Sequence, residues 1–436
     1  MAAPQGILSR IGSLFSRRGY EAAAIAPRFR DTDGRWGEWR VNGGVSPVPA
    51  SLALRSRHQY QNNGYWRNAV DSWTDAIAGA GFGIIPKTAT LMTAWTAFAA
   101  NAVWGGGTLD GLTVNMVRAM VRDGEGFAVL QPDGRWLQLP HSAIAGDYFA
   151  DDSSRVVREG IELTDGQETA CYIRRDQDTE TERLDRSRYV RVWRQDSPDQ
   201  VRGVPWGASV LIAADTLASA EHAIAEGIKT SALLGVLLVN ENDMGAAFPF
   251  EGDQRGSVME SGLEPGALKI VPGGYRPHIV TPQQSAQAGD FLKHELRRIA
   301  AGFGLPAHKV SGDLSDANYS SLRSGQISLN TRAEAAQYGL IVPQLLRPIW
   351  QHFVTRLYLT GEVTSMDEEA EFIAPRPGAV DPQKDVSATA EMLKLGLISR
   401  RRAVAELGWD VEAIDQERAS DQRREVALNL SEETNA

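Results

Sequence analysis

Between Arg122 and Gln195 the apolar residues recur at every second position, whereas on either side they recur at helical spacing. A period of two sends side chains to alternate faces of a strand, and a period near 3.6 gathers them on one face of a helix, so neither pattern suits the other element. "GFAVLQPDGRWLQLP" reads as two strands around Pro132-Asp133-Gly134, and "GIELTDGQETACYIRR" as two more around Asp165-Gly166, with "RYVRVWR" as a further strand. Upstream, residues 52–80 read as a helix, a polar turn at Asn62-Asn63-Gly64, and a second helix whose Trp66, Val70, Trp73 and Ile77 form a core stripe. Gly79, Gly81 and Gly83 end that helix and lead into the strand-like "GIIPK". The predicted class is α+β.

Downstream of "GVPWGASV", an alanine-rich helix is expected through Val239, with few charges and small side chains that permit close packing inside a monomer or against copies of itself. Residues 240–285 are rich in Gly and Pro, with a short strand pair in "GALKIVPGGYRPHIV". Helical spacing resumes with Leu292, Leu296, Ile299 and Phe303 on one face and Lys293, Glu295 and Arg297 off it, and stops at Gly302, Gly304 and Pro306. A long helix from about Asn318 bends at Pro343 and continues through Trp350, Phe353 and Leu357. Beyond the linker "APRPGAVDPQ" come three short charged helices and a polar tail.

Between two of these helices lies "SGDLSDANYSSLRSG", Ser311 to Gly325, with almost no residue suited to burial. A connection from Pro306 to about Ala317 is long for a compact domain, and long polar loops on rigid supports often carry function. Asp316 or Ser315 would cap the next helix; lining of a functional surface is the competing role for Asp313 and Asp316, and the two roles can coexist.

The chain's 436 residues, 42% hydrophobic, suffice for two or three domains with real cores. The single cysteine, Cys171, excludes internal disulfides and paired-thiol zinc sites and suits a reducing compartment. With 55 acidic against 45 basic residues the formal charge is −10, which argues against gripping nucleic acid by neutralising phosphates, though not against letting it slide past. No apolar run approaches the ~18 to 20 residues needed to cross a bilayer, and a soluble protein is expected. The first eighteen residues have the amphipathic, acid-free look of a transit peptide; the favoured reading is an N-terminal arm.

Motifs of chemistry are scarce. The seven histidines show no paired ligand spacing, and His222 with Glu226 forms one potential pair on a helix face without further ligands. There is no phosphate loop, no dinucleotide fingerprint in "GAGFGII", no nucleophile elbow, and no predicted base beside Cys171. Asp151, Asp152, Asp165, Asp313 and Asp316 would need to meet in space to do acid–base or metal work. No cofactor, metal site or catalytic residue is assigned, and the chain is not expected to be an enzyme.

The order of segments from about Leu52 to Leu430 resembles lambda-type portal proteins of tailed bacteriophages. The most specific pieces are Arg202-Gly203-Val204-Pro205, the stop from Gly302 to Pro306, and Asn318-Tyr319-Ser320-Ser321 followed by Arg323. The resemblance implies an α+β, portal-type fold with an α/β wing, helical stem, small α/β clip, tunnel loop and helical crown, assembled as a ring, commonly of twelve copies. The ring would sit at one capsid vertex of the virion after assembly in the host bacterial cytoplasm, and double-stranded DNA would be packaged and ejected through it. Its implied partners are the major capsid protein, the large terminase during packaging, and then a head–tail adaptor protein, with no membrane. The alternatives are another ring-forming head–tail adaptor and, from a different class, a cytosolic carboxylate-dependent hydrolase.

Carried onto this chain, the resemblance implies an N-terminal arm at 1–51, a wing at 52–207, a first stem helix at 208–239, a clip at 240–285 and a second stem helix at 286–305. A tunnel loop at 306–317 would follow, then a long kinked helix and wing return at 318–380, a crown at 381–430 and a tail at 431–436. Expected DNA-channel residues are Ser311, Gly312, Asp313, Leu314, Ser315, Asp316 and Asn318. Leu314 and Tyr319 are the large apolar exceptions in this segment, each an inward contact or an anchor, with anchoring the favoured role for Tyr319. Expected clip docking residues are Phe250, Glu251, Asp253, Gln254 and Arg255, and expected subunit contacts are Ala213, Ala220, Ala225 and Ala232.

Overall fold

The computed structural model describes residues 48–427 apart from 89, 153–154, 175–179, 199, 234–236, 240–252, 256–257, 261–268, 272–284, 316–317, 376–381 and 407–410. The chain divides into two compact units, Met1–Ile212 with Ile299–Ala436, and Ala213–Arg298.

The first unit opens with α1 (Val48–Asn62) and α2 (Gly64–Ala78). Asn63 separates them: its side-chain oxygen accepts the N–H groups of Tyr65 and Trp66 at 3.0 and 3.2 Å, occupying donors that a helix start leaves without partners. The predicted stripe of Trp66, Val70, Trp73 and Ile77 is buried. Strand β1 (Gly83–Pro86) pairs antiparallel with β14 (Ala370–Ile373), a partner far along the chain that local patterning does not reveal. Helices α3 (Thr90–Ala99) and α4 (Leu109–Asp123) follow. Thr108 caps the start of α4, and Gly124, at φ 98°, ends it in the left-handed region that favours glycine.

Two antiparallel sheets occupy the region of period two. One has the order β3 (Trp136–Leu139), β2 (Glu125–Leu130), β9 (Tyr189–Trp193). The other runs β4 (Ala150–Asp151), β5 (Val156–Arg158), β6 (Ile161–Thr164), β7 (Gln167–Ile173), β8 (Glu182–Asp185). The hairpins expected around Pro132-Asp133-Gly134 and Asp165-Gly166 are both present; at the second, both turn residues take positive φ, as a two-residue hairpin turn requires. Phe127, Ile161, Cys171, Leu184 and Tyr189 share a buried cluster. Burial pushes the Cys171 thiol up to about 12, so it packs as an apolar group.

At the edge of that core lies a buried ionic network. The Glu125 carboxylate, fully enclosed, pairs with Arg202 and with Arg191, the latter through Nη2 at 2.7 Å, and accepts the Gly203 N–H at 3.2 Å. Arg202 also donates to the Glu159 carbonyl at 2.8 Å and lies 3.1 Å from His141 Nε2, while Arg191 reaches Glu168 at 2.9 Å. Burial opposes ionisation of Glu125, but the adjoining arginines outweigh it and hold its carboxyl well below the usual range. A Cβ on Gly203 would overlap the Gly124 carbonyl oxygen, so the two glycines let the chains touch beside the network. The arginine–glycine–Val–Pro run is therefore a structural element.

After the 3-10 turn Ala208–Val210, α5 (Leu211–Leu233) leads into the second unit. The helix expected through Val239 stops at Leu233, and Leu237–Val239 is instead a strand, β10, paired parallel with β13 (Lys269–Val271). Gly235 is a poor helix residue and the following Val-Leu-Leu-Val run suits a strand, but its partner lies outside any local window. A hairpin of β11 (Asp253–Arg255) and β12 (Val258–Glu260) also belongs to this unit, and α6 (Ser285–Phe303) leaves it. The rest of the strand pair expected in "GALKIVPGGYRPHIV" lies outside the described residues.

Past the short α7 (Ala307–Ser311), α8 (Tyr319–Ala336) runs into α9 (Arg347–Thr360). The bend expected at Pro343 takes the form of a π-helical stretch, Gln337–Leu346, whose wider turn accommodates a residue lacking an N–H. Trp350 and Phe353 of α9 pack edge-on to Trp95 at 5.1 Å. Helices α10 (Pro382–Lys394), α11 (Arg400–Glu406) and α12 (Val411–Ala427) close the chain.

Glu159, in the tight turn between β5 and β6, is buried near Arg202 and Glu125, and burial raises its carboxyl to about 7. Its folded value thus exceeds its unfolded one, so its contribution to stability falls as pH rises from about 4.5 to about 7, by roughly 3 kcal/mol in total. Burial shifts His141 the other way, its loss of stability coming as pH falls below its unfolded value, so a comparison of variants is needed to isolate Glu159. Glu159→Gln should gain about 3 kcal/mol relative to the parent between pH 5 and pH 8 in urea unfolding, whereas a difference independent of pH would show that this carboxyl does not titrate as a buried group.

Candidate functional site

The polar segment after α6 is held at its base by α2. Trp73 Nε1 donates to the Phe303 carbonyl at 2.9 Å, Ser72 Oγ to that of Lys309 at 3.0 Å, and Asn68 Nδ2 to that of Val310 at 3.0 Å. Phe303 stacks edge-on against Trp66 at 4.8 Å, and Val310 is buried. The root is thus packed and hydrogen-bonded before the chain turns outward.

The expected loop of 306–317 is shortened by α7, which occupies residues 307–311 and places Ser311 in its last turn. Gly312 ends it at φ 72°, its N–H bonded to the His308 carbonyl at 2.9 Å, with open space where a side chain would stand. Beyond it the polar side chains turn back onto their own backbone. Ser311 Oγ accepts the Asp313 N–H at 3.1 Å, and Asp313 Oδ1 accepts the Ser315 N–H at 2.9 Å. These are local turns of the kind that Ser and Asp favour.

The cap of the next helix is Asn318, not Asp316 or Ser315. Asn318 Oδ1 accepts the Ser321 N–H at 2.8 Å, and Ser321 Oγ accepts the Asn318 N–H at 3.1 Å, a reciprocal capping box. The helix begins later than a cap at Asp316 or Ser315 requires, and a serine three residues on takes the place of the usual Glu or Gln. Asp316 lies outside the described residues. Leu314 is 57% exposed and Tyr319 49% exposed, so Tyr319 does not anchor the loop by burial; its ring lies 5.9 Å from Lys384 Nζ and its hydroxyl 3.4 Å from Arg323. From Ser311 through Asn318 the sequence contains no Lys or Arg.

The other expected site residues fall in the second unit. On α5, Ala213 is buried, Ala220 half-buried and Ala225 exposed; Ala232 lies in the helix, and its side chain is outside the described part. Asp253, Gln254 and Arg255 form β11, paired with Glu260, Met259 and Val258, while Phe250 and Glu251 lie outside the described residues. Of the five carboxylates singled out in the sequence, Asp151 pairs with Arg158 at 3.1 Å and Asp313 accepts the Ser315 N–H. His222 and Glu226 are both exposed, and Glu226 pairs with Lys229 at 2.8 Å. Among the described residues no helix is long and apolar enough to cross a membrane.

Residues 32–337 match the family described as phage portal protein, lambda family. The chain is 29% identical over 190 residues to a probable portal protein of Halomonas phage phiHAP-1, an alignment covering 39% of this chain and 36% of the relative, so the chain spans about a third of that protein's length. Two solved structures are similar at 16% identity and a TM-score of 0.46. One is a chain of the virion of a native gene transfer agent particle, covering 85% of this chain and 96% of that one; the other is from the neck of an empty gene transfer agent particle, covering 84% and 95%.

The capping box carries its own test. Asn318→Ala should lower the unfolding free energy by about 1 kcal/mol and Asn318→Asp should retain most of it, measured by urea denaturation; equal stability of all three chains would mean that the loop end does not depend on this cap.

Proposed function

The chain belongs to the lambda family of phage portal proteins, and from that premise we propose that it forms a ring at one capsid vertex through which double-stranded DNA is packaged and ejected. The observation that carries this reading is the family match over residues 32–337, which spans the whole second unit, most of 1–212 and the polar loop. Twelve copies is the expected number.

In this reading the segment from Ser311 to Asn318 faces the DNA. A duplex carries about one negative charge per 1.7 Å of axis, so a collar rich in cations would retain it. The loop has none, and Ser311 and Asp313 are already bonded to local backbone, which leaves weak and replaceable contacts for a moving polyanion. Its base, fixed on α2, supplies the rigid support.

The exposed small residues of α5 form the subunit contact, with Ala225 available and Ala213 already covered within its own chain. The segment around the β11–β12 hairpin, including Phe250 and Glu251, is the clip, and docks first the large terminase that supplies the ATPase missing from this chain and then a head–tail adaptor. The major capsid protein is the remaining partner in this reading. Residues 208–239, 240–285 and 286–305 serve as stem, clip and stem, and 381–430 as crown.

Two variants test this reading. Asp313→Lys combined with Ser315→Lys should leave ring assembly intact and slow DNA translocation most at low salt, where phosphate attraction is least screened; packaging at the parental rate in low salt would remove the loop from the channel. Ala225→Trp should reduce ring yield in electron micrographs of the purified protein, and normal rings at normal yield would place the subunit contact elsewhere.

A further inference from the structure

A cleft of about 350 Å³ opens in the first unit beside the β2–β3 hairpin and α9. Its apolar lining includes Phe98, Trp136, Phe353 and Leu359. Leu359 is 78% exposed, a large apolar side chain left in water at the cleft's rim. Trp136 is fully buried, yet its indole N–H has no acceptor among the described residues. Buried polar groups are ordinarily satisfied, so such a donor needs an explanation.

The charge of the cleft is one-sided. Arg188 has no ion-pair partner among the described residues, and Arg356 is bound only through the Asp133 carbonyl at 3.1 Å. His352, also on the lining, stacks on Trp136 at 5.4 Å, and burial lowers its imidazole pKa, so it does not add charge near neutral pH. Apolar walls with uncompensated guanidinium groups suit aromatic side chains flanked by carboxylates, since arginine pairs with carboxylates and aromatic burial supplies large apolar area.

We infer that this cleft is the docking site of the chain's own segment Asp31–Trp39, "DTDGRWGEW". That segment, outside the described residues, carries Trp36 and Trp39 with three acidic side chains, Asp31, Asp33 and Glu38, against the single base Arg35. Its net charge of −2 complements Arg188 and Arg356, and its two indoles match the apolar lining. Reach is sufficient: eight residues lie between Trp39 and Val48, nine Cα steps that span about 30 Å when extended. Helix α1, which starts at Val48, runs beside the same hairpin, since Arg57 shares a neighbouring cleft with Gln138 and Leu139 of β3. The start of α1 lies about 14 Å of helix from Arg57, and the length of the four-residue β3 adds about 13 Å, together within the segment's extended reach. Docking would bury Leu359 and pair the two arginines.

The test uses the full chain with p-benzoylphenylalanine in place of Trp36, irradiated and mapped by mass spectrometry. Cross-links should join position 36 to the peptides holding Phe98, residues 130–136 or residues 352–359, and their yield should drop several-fold when Leu359→Glu or Arg188→Glu is added. Both positions are exposed, so neither substitution disturbs the core, and circular dichroism checks that each variant is folded. Absence of cross-links, cross-links only to other surfaces, or a yield unchanged by both substitutions would overturn the assignment.

Discussion

Glu125 is the residue on which the geometry of this protein turns. Its carboxylate sits out of contact with water, and Arg191 from β9 and Arg202 from the segment that leaves the sheets converge on it. Removing one member of such a cluster leaves charge uncompensated in the interior, which costs roughly 3 to 5 kcal/mol. The cluster joins the first residue of β2, strand β9, the β5–β6 turn and His141, so it locks both sheets to the outgoing chain. From there the path is fixed step by step: Gly203 passes against Gly124, the Trp206 N–H bonds the Val121 carbonyl at 3.1 Å, and Trp206 packs on Trp73 at 4.9 Å. Trp73 also holds the Phe303 carbonyl. The residues that lead out of the first unit and those that return to it are therefore both referenced to α2, as is the base of the polar loop.

Where order is decided by near neighbours, it could be read from the sequence. The helix pair around Asn63, the α2 stripe, and the hairpins at Pro132-Asp133-Gly134 and Asp165-Gly166 all follow from side-chain period and turn chemistry within a few residues. Long-range decisions were hidden. Nothing near Leu237 announces that it will pair with Lys269, and nothing near Gly83 announces Ile373, so local spacing reads the first of these strands as the end of a helix. The Glu125 network is hidden for the same reason: Arg202 stands out as a motif residue, but its partner is separated from it by most of two sheets. The polar loop is visible in the sequence as a place, but its cap is not, because Ser315, Asp316 and Asn318 are all competent caps and the helix start decides among them.

The polar loop presents hydrophilic residues several of which are hydrogen-bonded within the loop itself. Serine, aspartate and asparagine side chains that are free in water seek partners, and a passing polyanion would meet their donors. Here Ser311 and Asp313 accept backbone N–H groups, and Asn318 and Ser321 satisfy one another's. The N–H groups of Asp313, Ser315, Asn318 and Ser321 are thereby occupied and are not free to hold phosphate. The carboxylate of Asp313 adds repulsion at the surface, while neighbouring cations are kept on the flanking helices, at Lys309 and Arg323. With water's dielectric and a Debye length of about 8 Å at physiological salt, such exposed charges act only at short range. The described part of the segment therefore combines a base hydrogen-bonded to α2 with a tip where side chains of the segment occupy the N–H groups of Asp313, Ser315, Asn318 and Ser321; under the proposed function, such a surface offers a passing duplex few donors.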